Sequence, residues 1–190
     1  MQYFRFICCA LTIFLCGCQL STNNTQYHLQ KTTQVPLPSL SFAPTIEAQQ
    51  LLHINAQQMK PSNHHLLTLL ALSPERLSLT LLSPVGIRLA QLEYNGQTIN
   101  VKQQVNLANN NLPPLPQIVG DILLTTLPLT AWQSVLPVGW QISDQDKQRV
   151  VLNDKGQAVV RVDYGDDAYQ QAKQITHYQF HYQILLEHLE

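Results

Sequence analysis

A two-residue hydrophobic period on both sides of a single helix-like stretch is the strongest constraint on this 190-residue chain. In residues 50–56, Leu52, Ile54 and Ala56 alternate with Leu51, His53 and Asn55. Leu77, Leu79 and Leu81 alternate with Arg76, Ser78 and Thr80, and Ile99 and Val101 alternate with Thr98, Asn100 and Lys102. A strand points successive side chains to opposite faces, so this period predicts strands with one apolar face. The run 66–72 is almost wholly apolar, which predicts a strand buried on both faces or facing a cavity. Lys60-Pro61-Ser62-Asn63 and Ser83-Pro84 interrupt the strands. Asn95-Gly96 marks a hairpin, because both residues tolerate positive φ.

The middle of the chain has a different period. After a loop containing Pro113, Pro114 and Pro116, the residues Ile118, Val119, Ile122 and Leu123 recur at helical spacing. This predicts an amphipathic helix over 117–126, ending near Pro128. Thr130-Ala131-Trp132-Gln133 has the form of a capping box, predicting a second short helix over 131–136 that stops at Pro137. Strands then resume at 149–152 and 158–164 around the turn Asn153-Asp154-Lys155-Gly156. Residues 166–173 read as a short helical or irregular link. In a final strand, Tyr178, Phe180, Tyr182 and Ile184 face inward, and His177, Gln179, His181 and Gln183 face out. The expectation is an α+β, mainly β fold: one curved antiparallel sheet, a half-barrel, with two short helices on its concave face.

The N-terminus reads as a leader. Arg5 precedes an apolar run over 7–15, followed by Leu15-Cys16-Gly17-Cys18. A positive start, a short apolar core and small residues at the cut site describe a secretory signal, and the run is too short to span a bilayer. The terminal Cys after Gly looks like the lipobox of bacterial lipoproteins. In that reading residues 1–17 are the signal peptide and Cys18 carries acyl chains, palmitate among them. Residues 18–44 are the anchor and a flexible tether interrupted by Pro36, Pro38 and Pro44, and residues 45–190 form the domain. Gln19 after the lipid-bearing Cys implies, by the sorting rule of such lipoproteins, the outer membrane, with the domain at its periplasmic face. All four cysteines lie in the first 18 residues, so the mature chain has no disulfide, thiol nucleophile or Cys metal ligand. Only 12% of residues are charged and the formal net charge is −1, with no basic stripe to bind nucleic acid.

Other constellations read as structural. On a strand, His177 and His181 share a polar face and read as solvated, and His64-His65 point to opposite faces, so no metal is expected. Asp163, Asp166 and Asp167 lack the regular spacing of calcium loops and read as a solvated acidic turn. There is no G-x-S-x-G, and neither Ser134 nor Ser143 has a recognisable base and orienter, so an enzyme is not expected. Trp132 and Trp140 flank the short helix, fitting either core packing or a lid over an acyl chain. No cofactor is expected, and the protein reads as a monomer whose one membrane attachment is Cys18.

The strand–helix–strand order, the lipobox and the segment Asp121-Ile122-Leu123-Leu124, Leu127-Pro128 and Trp132 resemble a family of small lipoproteins encoded in bacterial clusters for aryl-polyene pigment lipids. The resemblance runs from about Gln50 to the C-terminus. Members usually carry Trp before the lid proline, where this chain has Leu127. The family is in turn similar to lipoprotein carrier and insertion proteins (LolA/LolB-like), which have a helical lid over an acyl-binding half-barrel. The resemblance implies a non-enzymatic lipid-handling module. It would bind or transfer an apolar chain, from an aryl-polyene lipid or a lipoprotein, against Leu70, Ile118, Ile122, Leu123, Leu127, Trp132 and Leu136. The alternative is an envelope scaffold or interaction lipoprotein whose concave face is a closed core.

Overall fold

The computed structural model describes residues 21–22, 25–56, 63–103, 113–165 and 171–189. Cys18 and the segment 1–17 expected to be a leader lie outside the described residues. The strands are β1 (Ser21–Thr22), β2 (Gln26–Gln30), β3 (Thr33–Pro36), β4 (Ile46–Ala56), β5 (Asn63–Leu72), β6 (Leu77–Leu82), β7 (Arg88–Tyr94) and β8 (Ile99–Gln103). Helices α1 (Leu115–Thr126) and α2 (Leu129–Gln133) follow. The chain then returns to strands: β9 (Gln141–Gln145), β10 (Gln148–Leu152), β11 (Ala158–Tyr164), β12 (Ala172–His177) and β13 (Tyr182–Leu189). Eleven strands form one antiparallel sheet in the order β1-β8-β7-β6-β5-β4-β13-β12-β11-β10-β9, while β2 and β3 make a separate hairpin. The sheet does not close into a barrel, and the fold is mainly β with two short helices, as the hydrophobic periods predict.

Register follows from the alternation. Leu52, Ile54 and Ala56 of β4 and Leu77, Leu79 and Leu81 of β6 all face the core. Cross-strand pairing aligns them into rows, such as Val162–Ile175–Ile184–Ile54 and Leu70–Leu79–Leu92. A slip of one residue would turn such a row to the wrong face. The Asn95-Gly96 hairpin forms as expected. Gly96 has φ 88°, and the Asn95 Oδ1 accepts from the Gln97 and Thr98 amides at 3.0 and 2.8 Å.

Five expectations are corrected. Residues 25–43 are not a tether: Tyr27, Leu29, Val35, Leu37 and Leu40 are buried in the core. Pro36 ends β3 rather than preventing structure, and the Pro38 carbonyl accepts a bond from the Tyr94 hydroxyl. The run 66–72 is buried on one face only, with Leu66, Thr68, Leu70 and Leu72 inward and Leu69 exposed. Of the link expected over 166–173, residues 172 and 173 belong to β12 while 166–170 lie outside the described residues, and β9 carries no sequence signal beyond Ile142. The final run is not one strand: β12 ends at His177, residues 178–181 turn with His181 at φ 52°, and β13 begins at Tyr182. The turn shifts the phase, so His177 is buried and Tyr178 exposed, while Tyr182 and Ile184 keep their inward positions and His181 its outward one. Finally, α2 starts at Leu129 with Pro128 as N-cap and no side-chain capping bond, so the Thr130–Gln133 capping box does not form.

The β13 register predicts a sharp asymmetry between neighbours. Ile184→Ala, emptying a site in the inner row, should cost about 2–5 kcal/mol in urea unfolding. Gln183→Ala, on the exposed face, should stay within about 0.5 kcal/mol.

Candidate ligand-binding site

The concave face is covered by three pieces: the β2–β3 hairpin, α1 and α2. Proline at the N-cap and in the first turn starts α1 where free N–H groups are harmless. The helix is buried around most of its girth, at Gln117, Ile118, Val119, Gly120, Asp121, Leu123, Leu124 and Thr125, because the hairpin covers what the sheet does not. Gly120 is required there. A Cβ at this position would collide with the Tyr27 ring of β2, so helix and hairpin meet through a gap in the side-chain layer.

Polar groups fasten these pieces. Asp121 on α1 accepts hydrogen bonds from the Tyr27 hydroxyl at 2.7 Å and the Tyr182 hydroxyl at 2.6 Å, joining the hairpin, the helix and the sheet through one carboxyl group. Gln117, one turn earlier, accepts from the His28 amide and donates to the His28 carbonyl and the Tyr182 hydroxyl, each at 3.2 Å. Complete burial pushes the Asp121 carboxyl up to about 7, although the two hydroxyl bonds act in the opposite direction. Burial, helped by the adjacent carboxylate, also holds both tyrosines well above their usual range.

His177 sits beside this clasp, packed against Phe180 and Tyr182 with ring centroids 4.6 and 5.2 Å away. Its Nε2 donates to the His28 carbonyl at 3.3 Å, and its buried Nδ1 has no partner among the described residues. Burial lowers it to about 4 despite that bond, so it is a neutral core histidine rather than a solvated one.

A second fastening closes the far end of α1. Arg149 of β10, itself buried, donates from Nη1 to the Leu124 and Leu127 carbonyls at 2.7 and 2.6 Å. Its other nitrogens grip both oxygens of Asp144 at 2.8 Å. Trp132 Nε1 donates to the Leu123 carbonyl, and the Tyr164 hydroxyl to Thr125. The carbonyls that a helix leaves unpaired at its C-terminus thus find partners, and a cation sits at the negative end of the helix dipole.

The residues proposed from sequence as a ligand lining come together in one core. Leu123, Leu127 and Trp132 are 0% exposed, Leu70 and Ile118 6% and 5%, and Ile122 and Leu136 are partly buried. The Trp132 ring meets Tyr27 edge-on at 5.6 Å. In the observed state the helices therefore lie tightly on the sheet. A groove of about 800 Å³ is lined by Leu70 of that set together with Glu47, Gln49, Leu69, Ser78, Thr80 and Leu189, and by none of the helical residues. A smaller hollow of about 220 Å³ adjoins Asn55, Tyr178 and His181 at the β12–β13 turn. On the outer face, His65 and His53 approach through their Nδ1 atoms at 2.8 Å, with Glu187 3.5 Å from His53 Nε2. Among the described residues no group of three or more His, Cys, Asp or Glu converges as a metal site. Asp163 binds Gln148 and Arg161, whereas Asp166 and Asp167 lie outside the described residues. Ser134 donates to the Ala131 carbonyl at 2.8 Å. No described helix is long and apolar enough to cross a membrane.

Sequence reasoning placed that apolar set in the interior but missed the clasp. Tyr27 lay in the supposed tether, and Asp121 is a single acid within an apolar helix. That second oddity was the available signal, since an isolated carboxylate on a buried face requires partners.

The clasp predicts a specific pH response. An unfolded Asp ionises near 4, but the folded carboxyl holds its proton up to about 7. Between these values only the native state carries that proton, so Asp121 makes stability fall as pH rises. An unfolded His is protonated below about 6.5, whereas folded His177 stays neutral down to about 4. Between those values only the unfolded state carries the proton, so His177 makes stability rise with pH. The two slopes oppose each other across most of the same window. Asp121→Asn, which removes one of them, should expose a rise of up to about 1.4 kcal/mol per pH unit between pH 4.5 and 6.5, read from urea midpoints. Equal pH profiles for wild type and variant would refute this pairing. Gly120→Ala should separate hairpin from helix, costing about 1–3 kcal/mol and accelerating tryptic cleavage after Lys31 in the β2–β3 turn.

A family model described as "Protein of unknown function (DUF3261)" matches residues 47–190, most of the chain, and the protein belongs to that family. No curated protein matches the sequence.

Proposed function

We propose that this member of the family is a lipid-anchored protein of the outer membrane, tethered through Cys18, whose domain takes up an apolar chain between its sheet and a displaceable cover on the periplasmic side. One observation carries the reading. The cover over an apolar concave face is made of short pieces, namely a hairpin and two proline-bounded helices. It is fastened by discrete polar clasps at Asp121 and Arg149 in addition to apolar packing. Breaking such fastenings would release the cover as a unit, the kind of discrete two-state element a switching fold uses. The binding itself needs no directional chemistry, because burying an apolar chain against Leu70, Ile118, Leu123 and Trp132 is favourable on area alone. The LolA/LolB-like resemblance and the lipobox support the same reading.

A second reading is favoured by the complete burial of Leu123, Leu127 and Trp132. In it the concave face is a permanent core, and the protein acts as an envelope scaffold.

The two readings respond differently to weakening the clasp. Tyr27→Phe keeps the ring and removes one hydrogen bond to Asp121, costing the closed state about 1–3 kcal/mol. If opening precedes uptake, a fluorescent polyene fatty acid should bind the chain beginning at Gln19, and Tyr27→Phe should bind it roughly tenfold more tightly despite a lower melting temperature. A wild type that takes up no probe, with a variant that is merely less stable, would leave the scaffold reading standing.

A further inference from the structure

We infer that one rim of the sheet is a bilayer-docking surface: Val85, Ile87 and Val138 rest in the lipid interface and hold the domain upright on the membrane. The inference rests on the reading of Cys18 as the lipid-bearing residue.

Strand register carries the argument. Ser21 pairs with Asn100 and Thr22 with Ile99, so the N-terminal end of β1 points toward the C-terminal end of β8. That end of β8 lies beside the start of β7, where Gln103 pairs with Ala90. The start of β7 is in turn the exit of the β6–β7 turn, residues 83–87. Antiparallel pairing through the rest of the sheet places the β12–β13 turn, the β10–β11 turn and the segment entering β9 on the same rim. A Cβ on Gly139 would touch Asp154, which confirms that Val138–Gly139 lies beside the β10–β11 turn.

This rim carries unusual side chains. Val138 is 99% exposed, Val85 81% and Ile87 60%, and Tyr178 is exposed on the β12–β13 turn. Branched apolar residues at turn tips lack the hydrogen-bonding advantage that favours Asn, Asp or Ser there, and such exposure marks a contact surface. The charges near this rim among the described residues are mostly cations, Arg88, Lys102 and Lys155, with Asp154 the acid beside them. The opposite rim has exposed Phe42 and Leu189, but its turns hold Glu75, Arg76, Asp146 and Lys147.

Distance selects the occupant. Three peptide units separate Cys18 from Ser21, a reach of about 10 Å. With residues 25–43 folded into the core, no long tether remains to lift the domain away. The rim at which the chain enters must then lie at the surface of the bilayer holding the acyl chains. There its valines and isoleucine meet the acyl boundary, Tyr178 suits the headgroup level, and the cations favour anionic headgroups.

The test uses full-length lipidated protein in vesicles of phosphatidylethanolamine and phosphatidylglycerol. Single cysteines introduced by Ile87→Cys, Val138→Cys and Lys155→Cys on this rim, and by Glu75→Cys and Lys147→Cys on the other, carry an environment-sensitive fluorophore. Spin-labelled lipids should quench the first three severalfold more than the last two, and aqueous iodide should show the reverse order. Triple replacement Val85→Ser, Ile87→Ser, Val138→Ser alters exposed side chains only. It should leave the protein floating with the vesicles but reduce lipid quenching at position 155 to the level of position 75. Equal quenching at both rims, in protein that floats and is released by Cys18→Ser, would overturn the docking surface and leave the anchor intact. Wild-type protein that does not float would overturn the anchor and the docking surface together.

Discussion

An eleven-stranded sheet that stops short of closure has an apolar hollow that water must not fill, and most of this structure is organised around covering it. The inward rows of Leu, Ile and Val are continuous from β8 to β10, so the cover must reach across most of the sheet. A single amphipathic helix of twelve residues is too small for that task. The chain therefore adds a hairpin from its N-terminal segment and a second short helix. Burial of Tyr27, Leu29 and Val35 completes the seal.

The covering hairpin is far in sequence from the two helices, and Asp121 joins the hairpin and α1 to the sheet. Tyr27 precedes it by 94 residues and Tyr182 follows it by 61. Both phenols need an acceptor once buried, and the carboxyl group needs donors, so each side of the clasp removes the desolvation penalty of the other. Arg149 does the corresponding work at the other end of α1, satisfying helix carbonyls and Asp144 together. Replacing these groups by apolar ones could give a tighter seal. Their presence adds defined polar fastenings to the apolar packing of the cover, a property a displaceable lid would use.

Much of the fold was legible because periodicity is a local property. Strands β4, β6, β8, β10 and β11, the Asn95-Gly96 turn and the existence of two helices each follow from a few adjacent residues. The misses share a cause. Gln26–Pro36 looked like a polar linker because most of its side chains are polar and Pro36, with Pro38 and Pro44 beyond it, suggested irregularity, yet its alternate residues found a surface to cover. The β12–β13 turn contains no Gly or Pro, so the alternation seemed to run through it, and only the left-handed backbone of His181 breaks the phase. The apolar lining was legible as a set, since Leu123, Leu127 and Trp132 have no reason to be anywhere but inside. Whether that inside is hollow or filled depends on what packs on it from elsewhere.

By itself the sequence determined the strand period, hence a sheet with one apolar face, and placed the helical break that must lie on that face. It also confined every cysteine to the first 18 residues, so the described domain is held by packing and hydrogen bonds rather than by disulfides. Only the tertiary structure decided that the N-terminal segment joins the core, that His177 is buried, and that Asp121 binds two distant tyrosines. The physical reason is range. A side chain's face is set by its neighbours along the strand, but a buried polar group's partners are set by whichever distant segments meet there, and no local pattern records that meeting.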